Sequence, residues 1–572
     1  MPLPRPSPAV AGLDPYRVPR HPAPLDLLLD GIGGLPTPAD IFAPLAAHDV
    51  HALVRAYPTT TGLTAAIARR HGLGTERVLV TAGADDALDR ACRALLAPGR
   101  SLVLPEPTFE MIGRYARWAG GDLRSVPWPG GAFPLDAVLD AVDATTTAIA
   151  VVSPNNPTGA TATVDQLRAL SAAAPHAVLL VDLAYVEFAD VDPTEVVTAL
   201  PNAIAIRTMS KAYGLAGLRV GYALGPAEVI GWMRAAGNPY TVTGPSAAIA
   251  EARLAQGAAE VAGYVAAVRR QRGALGATLA QLGAAAQASE ANFVFARHPR
   301  AAWVRDALAG LGIGVRTWPD HPTLGDAVRI NVPGDDAVAA RLTHGLHAAL
   351  APDAVLFDLD GVLADVSQSY RAAIAQTAAA FGAPVTPDEI RAEKARGNAN
   401  NDWVLTHRLL AARGRTVPLE AVIADFEARY QGTDDAPGLK ATERLIWPAD
   451  ALARLAARVP LAVVTGRPRA DAQAFLTQHG LRPLFREVVV MEDGPAKPDP
   501  FPVREAMRRL GVRTAWMIGD TPDDVRAARA AGVVPLGVVA PGEDPDAARA
   551  TLTAAGAARV LPDPAALEEL LP

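Results

Sequence analysis

Lysine is scarce in this chain. Four of 572 residues are Lys, against 49 Arg, and the first 393 residues hold only Lys211. An ammonium can lose its proton and attack a carbonyl as a free amine, whereas a guanidinium stays charged. Lys211 lies in RTMSKAYGLAGLRVGY, where a Ser-Lys pair precedes a Gly-rich turn and an Arg. That context fits an amine that forms a Schiff base, with an ordinary surface lysine as the plain alternative. A second lysine, Lys497, lies in AKPDP, far downstream of FDLDGVLAD, which carries two carboxylates two residues apart.

The residues around Lys211 suit pyridoxal phosphate. That cofactor needs a carboxylate against its pyridine nitrogen, and Asp182 ends the apolar run before VDLAY. Asn156 of SPNNPTG and Tyr185 can donate to the phenolic oxygen. The phosphate needs backbone N–H groups at a helix start together with a cation. TAGADDAL offers that start at Ala84 and Asp85, and Thr208, Ser210 and Arg219 flank the lysine. Phe109 of PEPTFEM is placed to stack on the ring.

The downstream set suits transfer of a phosphoryl group from a monoester. Such chemistry needs a nucleophile, a proton donor to the leaving oxygen, and cations on the transferring group. Asp358 is the expected nucleophile and Asp360 the acid/base. Thr465 of VVTGRP is a hydroxyl donor and Lys497 a point charge. Mg²⁺ suits an oxygen-only site, with Asp358, Asp360 and Asp520 as candidate ligands. Asp524 is a further ligand or the partner of Lys497. Separations of 107, 32 and 23 residues between Asp358, Thr465, Lys497 and Asp520 put each motif after its own strand.

The elements that must position these groups can be read from the apolar pattern. VLVT (78–81), SLVL (101–104), TAIAVV (147–152), AVLLVD (177–182), AIAIRT (203–208) and LRVGYAL (218–224) read as buried strands alternating with helices. This predicts an α/β fold with a mostly parallel sheet. Residues 244–283 read as a long Ala-rich, glycine-interrupted helical stretch, leading into a small α+β lobe that ends near Leu350. A second series follows: AVLF (354–357), LAVVT (461–465), EVVVM (487–491) and TAWMIG (514–519). Between its first two strands, Ser367 to about Arg458 reads as helices only, an insert suited to cap an active site. The expected domains are 1–350, with a large and a small lobe, and 351–572, with a core of 351–366 and 455–572 and a cap of 367–454. Ala351-Pro352-Asp353 leaves no flexible linker between the halves, which predicts a fixed arrangement.

Composition narrows the classes further. A net charge of −7 without basic blocks argues against nucleic acid. The single cysteine, Cys92, excludes an intramolecular disulfide and a Cys-based zinc cluster. No secretory signal or membrane-length apolar run is present, so the chain reads as soluble and cytoplasmic.

In their order, the motifs of residues 12–350 resemble the fold-type I aminotransferases, and within them the histidinol-phosphate aminotransferase branch. PYRVP with Tyr16, AYP with Tyr57, GIGVR with Arg316 and AVRINV with Arg329 carry the branch-level likeness. The resemblance implies that Lys211 carries the cofactor and shuttles the substrate proton. It also implies that Tyr57 reaches the cofactor phosphate of a neighbouring subunit in a homodimer. Tyr16 would contact substrate; Arg316 and Arg329 would hold acidic groups, the glutamate carboxylate and the acceptor's phosphate or carboxylate. Two positions depart from the pattern: LDGIGG (29–34) replaces an Asn-rich element, and Leu183 replaces an acidic residue.

Residues 353–572 are similar to the haloacid dehalogenase-like hydrolases with a helical cap, and the second Asp of DLD points to a phosphatase. The joint expectation is a bifunctional enzyme. It would transaminate a phosphorylated keto substrate with glutamate, then hydrolyse a phosphate monoester with Mg²⁺, as histidinol phosphatase would. The alternatives are an aminotransferase for another acid joined to a phosphatase of phosphoglycolate-like or sugar-phosphate specificity, or one idle, regulatory domain. RGNANNDW (396–403) is a helix cap and turn or a source of substrate contacts.

Overall fold

The computed structural model describes residues 6–7, 9–16, 19–31, 34–396, 401–433, 436–563 and 565–571. By contacts the chain divides into two compact units. The first holds the described residues of 1–18, 29–298 and 320–339; the second holds those of 19–28, 299–319 and 340–572.

Among the described residues of the first unit, seven strands form one sheet: β1 (Val78–Thr81), β2 (Ser101–Glu106), β3 (Asp122–Pro127), β4 (Thr146–Val152), β5 (Val178–Asp182), β6 (Ala203–Thr208) and β7 (Gly221–Leu224). Their order is β1-β7-β6-β5-β4-β2-β3, and β7 alone runs against its neighbours. β5 and β6 are buried at every position, as expected of parallel strands covered on both faces. Helix α1 (Gly83–Leu95) lays Ala87, Leu88, Ala91, Cys92 and Leu95 on one such face, beside Leu104, Ile204 and Ile206.

The structure adds one strand, corrects one strand's bounds and places the break in one helical stretch. β3 had no apolar run to reveal it, because a strand at the sheet edge buries only Val126. The stretch 218–224 becomes strand only at Gly221, since Ala216–Leu218 is a 3₁₀ turn and Arg219 is left-handed at φ 55°. The helical stretch of 244–283 is two helices, α2 (Gly244–Gln256) and α3 (Ala258–Gln281), broken at Gly257.

Among the described residues of the second unit, a six-stranded parallel sheet is built from β8 (Ala354–Phe357), β9 (Leu461–Val464), β10 (Phe485–Val489), β11 (Ala515–Gly519), β12 (Val534–Val538) and β13 (Arg559–Leu561), in the order β10-β9-β8-β11-β12-β13. β12 and β13 extend the sheet beyond the four strands read from sequence. The insert between β8 and β9 is mainly helical, with α4 (Tyr370–Ala380), α5 (Pro387–Arg396), α6 (Asp402–Ala412) and α7 (Leu419–Gln431). It is not helical throughout: Ala364–Asp365 pairs with Arg444–Leu445, and Gly432–Thr433 with Ala436–Pro437. Such two-residue ladders are too short to leave a period-2 signal.

Residues 299–319 and 340–350 pack with the chain that follows residue 351. Trp303 meets Trp516 edge-on at 4.8 Å, and both rings are buried. Trp516 Nε1 donates to the Ala348 carbonyl at 2.6 Å and Trp303 Nε1 to that of Ala349 at 2.8 Å. Asp306 accepts from Arg559 at 2.5 Å and from Arg305 at 2.7 Å.

Candidate active sites

Strand register gathers the first set of residues at one end of the seven-stranded sheet. Val152 pairs with Asp182 and Asp182 with Ile206, while Gly221 pairs with both Thr81 and Thr208. The loops after β1, β4, β5 and β6 therefore leave from the same edge. The segments that follow hold Ala84 and Asp85 in the first turn of α1, Asn156, Tyr185, and Ser210 and Lys211. Gly221 permits the close approach: a Cβ there would lie 2.5 Å from the Gly83 carbonyl carbon and 2.8 Å from Ala84 N.

Lys211 Nζ sits 5.4 Å from the centre of the Tyr185 ring. Asp182 is buried and accepts from Ala184 N–H at 3.0 Å; burial pushes its carboxyl up to about 7. Thr208 Oγ1 donates to Ser210 Oγ at 2.9 Å and accepts from Ser210 N–H at 3.1 Å. The left-handed Arg219 turns its guanidinium onto Asp85 at 3.0 Å, at the start of α1. Phe109 is half-buried against the core over which α1 lies.

Arg329 donates to Asn156 Oδ1 and to the Asp30 carbonyl, both at 2.5 Å, and Leu29 O accepts from Asn331 N–H at 3.0 Å. LDGIGG thus fastens this arginine with backbone oxygen, a role independent of the missing asparagines. Gly34 lies against the backbone of Lys211, where a Cβ would come within 2.6 Å of Lys211 O. Residues 32–33 of that element lie outside the described residues. Leu183 is fully buried, so an acidic side chain there would need a partner.

The remaining residues of this set have local partners. Tyr16 lies under Arg114 at 5.9 Å. Tyr57 is 81% exposed and stacks on Tyr240 at 4.7 Å. Arg316 belongs to the second unit, where it is buried with its guanidinium 5.3 Å from the Trp318 ring centre.

In the second unit β8 is flanked by β9 and β11, with Phe357 paired to both Val463 and Ile518. The next residues along, Asp358, Thr465 and Asp520, therefore emerge near one another at the C-terminal edge. Oxygen atoms of Asp358, Asp520 and Asp524 lie within 4.8 Å of one another. Lys497 Nζ is 2.7 Å from Asp358 Oδ1, 2.5 Å from Asp524 Oδ1 and 3.1 Å from the Val464 carbonyl. Burial raises the Asp358 carboxyl to about 7 against the pull of Lys497, and burial, Asp524 and Asp358 hold Asp520 well above the usual range. Among the described residues, Asp520 Oδ1 is buried without a hydrogen-bond partner. Asp524 also accepts from Thr521 N–H and Oγ1 at the start of its helix.

Asp360 does not join the carboxylate group. Its Oδ1 is held by Arg467, a residue the motif reading passed over because only folding brings the two together. Lys394, without a role in the motifs, pairs with Asp402 at 3.0 Å inside the cap. Of RGNANNDW, residues 397–400 lie outside the described residues. No described helix is long and apolar enough to cross a membrane.

Comparison with known proteins defines the class. The family model for aminotransferase class I and II matches residues 46–346, and that for haloacid dehalogenase-like hydrolase matches 352–532. The chain belongs to the class I and II aminotransferases, and its following residues 352–532 match the haloacid dehalogenase-like hydrolase model. It is 34% identical over 306 residues to the histidinol-phosphate aminotransferase of Paracoccus denitrificans, covering 52% of this chain and 82% of that protein. It is 50% identical over 196 residues to the imidazoleglycerol-phosphate dehydratase of Phytophthora nicotianae, covering 33% of this chain and 43% of that protein. The chain thus spans less than half the length of the latter relative. The histidinol-phosphate aminotransferase of Sinorhizobium meliloti, solved with pyridoxal-5'-phosphate, shares the fold at a TM-score of 0.53 and 24% identity, covering 60% of this chain and 98% of that one.

Proposed function

We propose that the chain is a cytoplasmic enzyme for two consecutive steps: transamination of imidazole acetol phosphate by glutamate, then hydrolysis of the resulting histidinol phosphate. The observation that carries this reading is the pair of lysine sites in one chain. Lys211 sits at the sheet edge with Asp182, and Lys497 bridges Asp358 and Asp524. The relatives bearing histidine-pathway names support the choice of substrates.

The first site fits pyridoxal phosphate. Asp182 is a buried carboxyl raised to about 7, which a protonated ring nitrogen would complete. Asn156 Oδ1 is taken by Arg329, which leaves its amide nitrogen to donate to the phenolic oxygen beside Tyr185. Ala84, Asp85, Thr208, Ser210 and Arg219 would hold the phosphate, Phe109 would face the ring, and Tyr57 would reach the phosphate held by a second copy. Tyr57 is exposed, as a side chain that reaches a second copy in a homodimer would be. When bound, the cofactor supplies an electron sink for the substrate's α-carbon. The free amine of Lys211 takes the proton from that carbon and returns it, while Arg329 holds an acidic group of the substrate.

The second site fits a divalent cation. Three crowded carboxylates, two of them with raised pKa, and the unpartnered Asp520 Oδ1 leave a deficit of positive charge. Mg²⁺ there would neutralise charge on the phosphoryl group. Asp358 Oδ forms the bond to phosphorus as the bond to the leaving oxygen breaks, and Asp360 gives that oxygen its proton. Water then attacks the aspartyl phosphate and Asp360 takes the proton back. Thr465 and Lys497 hold the transferring group.

The test is a two-substrate assay. Wild type given imidazole acetol phosphate, glutamate, cofactor and Mg²⁺ yields histidinol and inorganic phosphate, and Asp358→Asn stops at histidinol phosphate. Lys211→Ala loses the yellow colour and the whole sequence. Transamination without Mg²⁺-dependent phosphate release would defeat the consecutive-step reading.

A further inference from the structure

Arg467 joins the proposed proton donor to the cap. Its Nε donates to Asp360 Oδ1 at 2.7 Å, and Nη2 lies 2.5 Å from the same oxygen. Nη1 reaches Glu443 Oε2 at 2.8 Å and Tyr430 OH at 3.3 Å. The other oxygen of Glu443 accepts from Ser369 Oγ at 2.9 Å and Tyr430 OH at 3.1 Å. The guanidinium lies 5.1 Å from the Tyr370 ring centre and 5.4 Å from that of Phe475. Arg467, Glu443, Tyr430, Tyr370 and Ser369 are all buried.

The placement of these residues along the chain gives the network its meaning. Arg467 follows β9 in the core. Ser369 and Tyr370 open the first cap helix, and Glu443 precedes Arg444–Leu445, the strand that pairs with Ala364–Asp365 where the chain enters and leaves the cap. Both crossings between core and cap therefore close on one guanidinium. A buried guanidinium is costly unless its donors are matched in fixed geometry, and Glu443 and Asp360 supply that match from opposite sides.

We propose that Arg467 is the positioning residue for Asp360, and that the seated cap holds it in place through Glu443, Tyr430 and Tyr370. Both contacts to Asp360 fall on Oδ1, so Oδ2 is the oxygen that can carry the proton to the leaving group while the pair stays intact. Proton donation then depends on the cap being seated, whereas attack by Asp358 does not. This inference rests on the phosphatase reading of the second site.

The experiment compares 4-nitrophenyl phosphate, whose leaving group departs without protonation, with phenyl phosphate, whose more basic leaving group needs it. The full-length enzyme is used with Mg²⁺. Arg467→Met is expected to lower kcat on phenyl phosphate at least tenfold more than on 4-nitrophenyl phosphate, with KM nearly unchanged, since general acids contribute about 10²–10⁴-fold. Arg467→Lys restores part of the selectivity. Glu443→Gln, nearly isosteric, shifts the ratio the same way by about threefold, on that same scale of effect; it serves if Arg467→Met does not fold. Equal losses on both esters, or an unchanged ratio in Glu443→Gln, overturn the inference. A wild type that hydrolyses neither ester instead removes the phosphatase reading beneath it.

Discussion

Lys497 Nζ lies 2.7 Å from Asp358 Oδ1, across 139 residues of sequence. Burial works against the ammonium, but Asp358 and Asp524 more than offset it and hold its pKa above the ordinary lysine value. Removing the charge strands buried carboxylates. Lys497→Met is expected to destabilise the second unit by about 3–5 kcal/mol and to slow phosphate release by about 10²–10³-fold. Lys497→Arg does not rescue, because a compact ammonium fits between oxygens at 2.5 and 2.7 Å. Denaturant melts and a phosphate-release assay measure the two effects.

Asp182 predicts a pH dependence of the cofactor-free protein. Its carboxyl is raised from 3.8 to about 7 by burial, so folding favours the neutral form. The stability it contributes is complete below the unfolded pKa and is lost as pH rises through about 7. Wild-type stability, read from melts, should fall between pH 5 and pH 8 by at most about 3 kcal/mol from this group, taking 1.36 kcal/mol per unit over the two units below the folded value. Asp182→Asn should remove its share of that slope and leave the share of Asp358 and Asp520, whose carboxyls burial also raises. Pyridoxal phosphate should raise the wild-type melt at pH 8 more than that of the variant.

Trp516 is the packing partner of Trp303 and donates to Ala348 O at 2.6 Å. Trp516→Phe keeps an apolar ring but leaves that carbonyl unmatched, at about 1–3 kcal/mol. Trp516→Ala adds a cavity and is expected to cost about 3–5 kcal/mol. Denaturant unfolding of the full chain gives both values.

Cys92 is fully buried in α1, and burial pushes its thiol up to about 12. A thiol-reactive dye should leave the native protein unlabelled and label one site per chain after unfolding. Fast labelling of the native form would show that α1 opens locally.

The sequence alone determined a great deal. Residue chemistry and spacing named Lys211, Asp182, Asp358, Lys497 and Asp520, because each motif follows an apolar strand whose burial is visible in composition. The fold class was legible for the same reason: β5, β6 and β8 are continuous apolar runs. Edge and short strands were not, since β3 buries little and the cap ladders are two residues long. The tertiary structure alone decided the partners of charges distant along the chain. Arg467 looks like one arginine among 49, and only the packing of cap on core sets it between Asp360 and Glu443. Likewise, only folding shows that LDGIGG offers a carbonyl to Arg329. Local sequence specifies which groups can react; long-range burial, which forces each charge to find a partner, decides what holds them.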